Sequence, residues 1–215
     1  MNEHHSTSKE AILARIRAAV RDVPANEALA TPPTGYLLTT TDDRATSIAL
    51  FSERVRDYKA IVQHISEEEL PAAIAAALLA RGIRTVVVPA GIPVAWLPSG
   101  VAVLSDEPPL TYAQLDAAAG VVTTCALGIA QTGTIVLDGG AGQGRRALSL
   151  LPDYHLCIVR AAQIVGIVPD AITHLAASQT RPLTFISGPS ATSDIELNRV
   201  EGVHGPRTLE VLVVA

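Results

Sequence analysis

Short, continuously apolar segments recur along this chain and alternate with segments of helical pattern. Clear examples are RTVVVP at 84–89, VAVLSD at 101–106, LCIVR at 156–160 and LEVLVV at 209–214. Strands covered by helices on both faces have such uninterrupted apolar sequences, whereas half-exposed strands alternate apolar and polar residues. The pattern therefore predicts an α/β fold with an open, mostly parallel sheet, helices on both of its faces and a smaller strand-rich portion.

Other segments extend this pattern. Further strands are predicted in KAIVQHI at 59–65, PLTFISG at 182–188 and, as two strands around a glycine-containing bend, GVVTTCALGIAQTGTIVLD at 120–138. Helices are predicted at 41–58, 66–82, 111–120 and 169–178. Capping-box spacing marks two of the helix starts, and a glycine marks the end of the first of these helices: Ser66 with Glu69, Thr111 with Gln114, and Gly82.

The first part of the chain has a different character from the rest. An amphipathic helix is predicted at 8–22, where Ile12 and Ile16 share one face. Residues 24–40 are rich in Pro, Thr and Gly, which is typical of a linker. We therefore expect an N-terminal helix and linker at 1–40, followed by one compact domain at 41–215.

Composition narrows the function classes. A net charge of −5 argues against nucleic-acid binding, which demands a basic face. Cys125 and Cys157 lie in no C-x-x-C or His/Cys ligand spacing, so they are predicted to be buried residues of a protein in the reducing cytoplasm. The N-terminus lacks the apolar region of a signal peptide, and no run reaches the ~18 apolar residues of a membrane span. We expect no metal and no cofactor.

Ligands of parallel α/β sheets bind beyond the carboxyl ends of the strands, so the loops there are candidates for a site. The first loop places Gln131 and Thr132 on a tight bend before Gly133. A hairpin or bulge that needs glycine for a positive φ explains this pattern, and ligand binding by the polar pair is the alternative.

The second loop, LDGGAGQGRRALSLLP at 137–152, is rich in glycine. Its glycines do not fit G-x-G-x-x-G in any register and no GK[ST] is present, so neither a dinucleotide-binding nor a Walker-type loop is predicted. Arg145 and Arg146 remain as a clamp for a carboxylate or phosphate, or as two exposed arginines.

The third loop follows the strand PLTFIS. Gly188 permits a sharp turn, and the hydroxyls of Ser190 and Thr192 follow where a short helix is predicted to begin. Unpaired backbone N–H groups at such a point attract anions. We expect these residues to bind a small anionic ligand.

Acid–base candidates come directly after that loop. Asp194 and Glu196 are two residues apart and share a side only if the segment is extended; they either accept hydrogen bonds from a substrate or cap amides of the loop. His204 lies between glycine-bearing turns, where it is suited to acid–base or ligand contact near neutral pH. All three loops are expected to meet in one hollow at the strand ends.

Taken together, the loops resemble the LUD domain, the lactate utilization protein C family. The likeness is carried by AQTGTIVLD at 130–138, GQGRRALSLLPDYH at 142–155, ISGPSATSDIE at 186–196 and GVHGP at 202–206. The resemblance implies a fold similar to the group of glucosamine-6-phosphate deaminase, ribose-5-phosphate isomerase and the CoA transferases. It also implies a role in oxidising L-lactate to pyruvate beside separate iron–sulfur proteins.

One residue departs from the family pattern. Many members have glutamate where this chain has Gln131, and glutamine is neither a base nor a nucleophile, so only hydrogen bonding is expected there. A stand-alone enzyme acting on a phosphorylated or carboxylated small molecule is the alternative function. A nucleotide-sensing module is a third possibility that fewer features support.

Overall fold

The computed structural model of the chain describes residues 8–22, 35–178, 180–189 and 205–215. The chain divides into two compact units, residues 1–36 and 37–215. In the first unit, helix α1 spans Ser8–Ala19, as the amphipathic pattern predicts. Among the described residues, no helix has the length and apolar character needed to cross a bilayer.

The described residues of the second unit form ten strands. In chain order they are β1 Ile61–Ile65, β2 Thr85–Val88, β3 Ala102–Ser105, β4 Gly120–Thr124, β5 Leu127–Ile129, β6 Thr134–Leu137, β7 Tyr154–Arg160, β8 Ile164–Val165, β9 Thr184–Ile186 and β10 Thr208–Val214. Six of them form a sheet in the order β1-β10-β7-β4-β2-β3, with every neighbouring pair parallel. The α/β fold with a mostly parallel sheet is thus confirmed.

The smaller sheet has the order β8-β5-β6-β9. Its β5–β6 and β6–β9 pairs are antiparallel, whereas β5 and β8 are parallel. The prediction of two strands in 120–138 was wrong, because the segment holds three strands, of which β4 joins the larger sheet. An apolar run does not show where a chain passes from one sheet to another.

The helices of this unit are α2 Arg44–Asp57, α3 Leu70–Ala80, α4 Tyr112–Asp116 and α5 Val168–His174. Thr111 and Gln114 form the predicted capping box at the start of α4. Before α3, the Glu69 carboxylate accepts from the Ser66 N–H and hydroxyl, at 2.8 and 2.9 Å, but the reciprocal cap by the Ser66 side chain is not made. That half of the predicted box was wrong, because a turn intervenes and the helix begins only at Leu70.

Strand β7 shows why the larger sheet has uninterrupted apolar sequences. Leu156 and Ile158 point to the face covered by α3, where they pack with Leu78. Cys157 points to the opposite face of the strand, where it packs in one cluster with Phe51 of α2 and with residues of the smaller sheet. A strand buried on both faces needs apolar side chains at successive positions, and each large one contributes about 1.5–3 kcal/mol on burial.

The strand order also fixes where a ligand site is expected. From β2 the chain moves outward to β3 at the edge and then returns to β4 on the other side of β2. This reversal opens a crevice at the carboxyl ends of β2 and β4, the usual ligand position in open α/β sheets.

Candidate functional site

The bend that contains Gln131, Thr132 and Gly133 is the turn of the β5–β6 hairpin. Gly133 has φ 58°, and a Cβ atom there would lie 2.7 Å from the backbone carbon of Arg54. The turn therefore packs directly on α2, and only glycine fits both the space and the backbone conformation. The Gln131 side chain is exposed, while its N–H donates to the Gly166 carbonyl at 2.9 Å.

A row of hydroxyls leads from this turn to the third loop. The Thr132 and Thr134 hydroxyls are 2.7 Å apart, and Thr134 is 2.8 Å from the Ser187 hydroxyl. Gly188 follows Ser187 with φ 88°, so the structure brings it to the same end of the smaller sheet as the turn. The remaining predicted site residues lie outside the described residues: Ser190, Thr192, Asp194, Glu196 and His204.

Arg145 lies at the opposite end of β6 from that turn. Four strand residues, each advancing about 3.4 Å, separate the two loops. Arg145 donates from Nε and Nη2 to the two carboxylate oxygens of Asp106, at 2.8 and 3.0 Å, and also to the Leu110 carbonyl. Among the described residues, the three loops thus do not share one hollow: a hairpin necessarily places its turn and the loop beyond its second strand at opposite ends.

Asp106 is a site residue that sequence reasoning missed. It follows β3 directly, its side chain is 10% exposed, and it also accepts from the Leu110 N–H at 2.9 Å. The hydrogen bonds from Arg145 hold the pKa of this carboxyl below its ordinary value, against the opposing effect of burial. Its position at the end of VAVLSD, where an acid directly follows an apolar strand segment, was the signal available.

The glycine-rich segment 138–146, here called the glycine loop, lies over the carboxyl ends of β2 and β4. Gly142 donates to the Ala90 carbonyl and accepts from the Thr124 N–H, both at 2.7 Å. Gly142 has φ 74°, and a Cβ atom there would lie 2.6 Å from the Thr124 hydroxyl. The backbone can approach both strands this closely because the loop has no side chain at that point.

A cavity of about 510 Å³ opens beside the glycine loop. Its walls come from the ends of β2 and β3, from the loop and from the segment before β9. Arg181 lies 3.0 Å from the Asp138 carboxylate, so the walls hold a second arginine–acid pair. We call this space the carboxyl-end cavity; its charged lining residues are Asp106, Glu107, Asp138, Arg145, Arg146 and Arg181.

A second cavity, of about 420 Å³, adjoins the ends of β4 and β7 and shares Asp138 with the first. Cys125 lines it and is a buried free thiol, like Cys157, as predicted. A hydrogen bond to Cys157 and burial both raise the pKa of Cys125 well above its ordinary value, which makes it a poor nucleophile. Within the described residues, no three His, Cys, Asp or Glu side chains are grouped to hold a metal ion.

Known proteins resemble this chain, one of them over almost its whole length and others over about two-fifths of it. Lactate utilization protein C of Deinococcus radiodurans is 51% identical over 210 residues, which cover 97% of each chain. Lactate utilization protein C of Halalkalibacterium halodurans is 42% identical over 84 residues, 36% of each chain. The uncharacterized protein YkgG of Escherichia coli is 41% identical over 93 residues, 40% of each chain.

A solved structure shares the fold. The crystal structure of a DUF162 family protein from Deinococcus radiodurans superposes with a TM-score of 0.72 at 50% sequence identity, covering 81% of this chain and 99% of that one. The family model described as LUD domain matches residues 103–214, which include the glycine loop and β10. Given that match and the similarity to a relative across 97% of its length, the chain belongs to the LUD domain family.

Proposed function

We propose that this protein is a cytoplasmic subunit of a system that oxidises L-lactate to pyruvate, acts beside separate iron–sulfur proteins and binds a small anionic ligand. The observation that carries the proposal is the 51% identity, over 97% of the chain, to a protein named for lactate utilization. In this proposal the electron carriers belong to the partner proteins. This subunit binds the ligand or organises the assembly.

The proposal gives roles to particular residues. Arg145 belongs to the proposed ligand site at the carboxyl ends of the strands, whereas Gln131, Thr132, Gly133 and Gly188 lie at the other end of β6 and are proposed as a separate hydrogen-bonding surface. Ser190 and Thr192 are proposed ligand contacts, and Asp194, Glu196 and His204 are proposed to handle protons. Arg145 acts on the ligand indirectly, by fixing the wall of the carboxyl-end cavity, because its Nε and Nη2 groups already donate to Asp106 and to the Leu110 carbonyl. Gln131 contributes hydrogen bonds only, since an amide neither titrates nor attacks a carbonyl.

Deletion of the gene tests the role in lactate oxidation. We expect the deletion strain to lose growth on L-lactate, to grow normally on pyruvate and to recover with the wild-type gene. Affinity purification of the tagged full chain is expected to recover proteins that contain iron–sulfur clusters, identified by their visible absorption and by iron analysis. Unimpaired growth on L-lactate in a strain that has no paralogue would contradict the proposal.

The alternative is a stand-alone enzyme acting on a phosphorylated or carboxylated small molecule. The carboxyl-end cavity favours it, because a volume of about 510 Å³ is within the range of small-molecule sites. In that case the purified chain should convert a substrate without partners, and Asp194→Asn should abolish turnover while the unfolding temperature is retained. A requirement for the partner proteins in every assay would exclude this alternative.

A further inference from the structure

We propose that the carboxyl-end cavity binds a polyhydroxy compound that carries a phosphate or carboxylate group and is larger than lactate. This inference rests on the proposed anion binding and names its place and ligand class. The cavity occupies the crevice where the strand order reverses, and its walls come from four separate segments of the chain. Such a crevice beyond the carboxyl ends of parallel strands is where a ligand reaches several loops at once.

The charges of the walls show what kind of ligand fits. Two arginine–acid pairs are formed within the protein, Arg145 with Asp106 and Arg181 with Asp138. The side chains of both acids are about one-tenth exposed. The lining holds three acids and three arginines, so a ligand that enters meets no large net charge, which suits hydroxyl groups better than a second anionic group.

Arg146 differs from its neighbour Arg145. Its side chain is exposed and lines the cavity, and among the described residues no acid lies within ion-pair distance of it. Guanidinium groups bind phosphate and carboxylate through paired N–H donors, so Arg146 supplies the anion contact.

Glu107 is the residue that favours hydroxyl groups on the ligand. This acid also lines the cavity and is exposed beside Asp106. A carboxylate accepts hydrogen bonds from hydroxyl groups but repels an anion, so it favours a ligand whose hydroxyls lie away from its anionic group. Thr184, which is buried in the same wall, offers a hydroxyl of its own.

The cavity volume favours a ligand larger than lactate. A cavity of about 510 Å³ is typical for ligands of drug or cofactor size, and a three-carbon acid would fill only a small part of it. L-lactate would therefore leave most of the cavity unfilled.

Isothermal titration calorimetry on the full purified chain tests the inference with four probes: glucose 6-phosphate, gluconate, inorganic phosphate and L-lactate. We expect glucose 6-phosphate or gluconate, whichever source of the anionic group is correct, to bind more tightly than either small probe. Arg146→Ala should weaken that binding about 10- to 100-fold, as expected for loss of a charge-assisted contact. Glu107→Gln should weaken binding of the polyhydroxy probe but leave binding of inorganic phosphate unchanged or stronger.

Arg84→Ala is the matched control. Arg84 is an exposed arginine directly before β2, at the opposite end of the strand whose carboxyl end lines the cavity, and its loss should leave binding unchanged. Failure of both larger probes to bind, equal binding by the Arg146→Ala variant, or tighter binding of L-lactate would each overturn the inference. Growth of the deletion strain on L-lactate reports on the proposed function separately, because it does not depend on these titrations.

Discussion

The larger sheet holds an arginine–carboxylate pair at each end, and in both pairs the arginine lies over a tyrosine ring. At the amino end, Arg81 contacts Glu210 and lies 4.7 Å from the Tyr154 ring centre. At the carboxyl end, Arg145 contacts Asp106 and lies 5.9 Å from the Tyr112 ring centre. The same chemical motif thus occurs at two places whose surroundings differ.

At the amino end the carboxylate is fully occupied by the protein. Glu210 accepts from Gln63 Nε2 at 2.7 Å, from the Tyr154 hydroxyl at 2.9 Å and from Arg81 at 3.4 Å. Burial and the Glu210 charge raise the pKa of Tyr154, so its hydroxyl remains a donor at every physiological pH. The adjoining cavity, of about 380 Å³, is lined mainly by alanine and isoleucine around this cluster.

At the carboxyl end the pair supports an open site. Arg145 and Asp106 fix the wall, while Arg146 and Glu107 beside them are exposed to the cavity. The comparison teaches that an arginine–acid pair by itself marks no function. A site is indicated where charged groups beside such a pair still face open space.

The largest effect is expected from Glu210→Ala. Loss of the carboxylate leaves Arg81, Gln63 and the Tyr154 hydroxyl without their acceptor, which should lower the free energy of unfolding by about 2–4 kcal/mol. Urea unfolding followed by circular dichroism measures this, with Glu210→Gln as a milder control. If this cluster is only structural, ligand binding by the folded variant is retained. A variant that unfolds at the wild-type urea concentration would contradict the assignment.

Alanine substitution of one glycine near each end of the larger sheet compares how tightly the two ends are packed. Gly82, after α3, and Gly142, in the glycine loop, have similar φ angles of 63° and 74°, so alanine costs about 1–2 kcal/mol at either position. Only at Gly142 does the new methyl also meet the Thr124 side chain, which should add about 1 kcal/mol and reduce probe binding. Equal unfolding free energies for Gly82→Ala and Gly142→Ala would show that the glycine loop does not lie tightly on β4.

Asp106→Asn is expected to have the smallest effect on stability, about 1–2 kcal/mol at neutral pH, because the amide keeps one acceptor for Arg145. The pKa of Asp106 is lowered in the folded protein, so its stabilisation is present above the unfolded-state value of about 4 and is lost as pH falls through the folded value. The stability difference between wild type and variant should therefore be constant above about pH 5 and shrink below about pH 4. An unchanged difference at pH 3 would show that Asp106 is not the titrating partner of Arg145.

Local sequence signals were enough for much of the fold. The buried runs around Val87 and Ile158 form strands as predicted. Thr111 and Gln114 form the predicted capping box at the start of α4. These features depend on residues that are close in sequence. Sheet membership does not, and so the continuous apolar pattern of 120–138 could not show that β4 and β5 belong to different sheets.

The candidate site was only partly predictable for the same reason. Arg145 and Arg146 were singled out together, but their different roles depend on Asp106, which lies 39 residues away in sequence. Arg181 likewise reaches Asp138 because β9 pairs with β6, a contact between distant segments. Glycine content indicated the loop, whereas the groups that it faces became visible only in three dimensions.

A crystal structure of the full chain grown with glucose 6-phosphate, and a second grown with gluconate, would test most directly whether ligands bind at the carboxyl end of the sheet. We expect ligand density in the carboxyl-end cavity, with the phosphate or carboxylate against Arg146 and hydroxyls toward Glu107. Ligand density only in the amino-end cavity beside Glu210, or an empty carboxyl-end cavity in both crystals, would contradict the assignment.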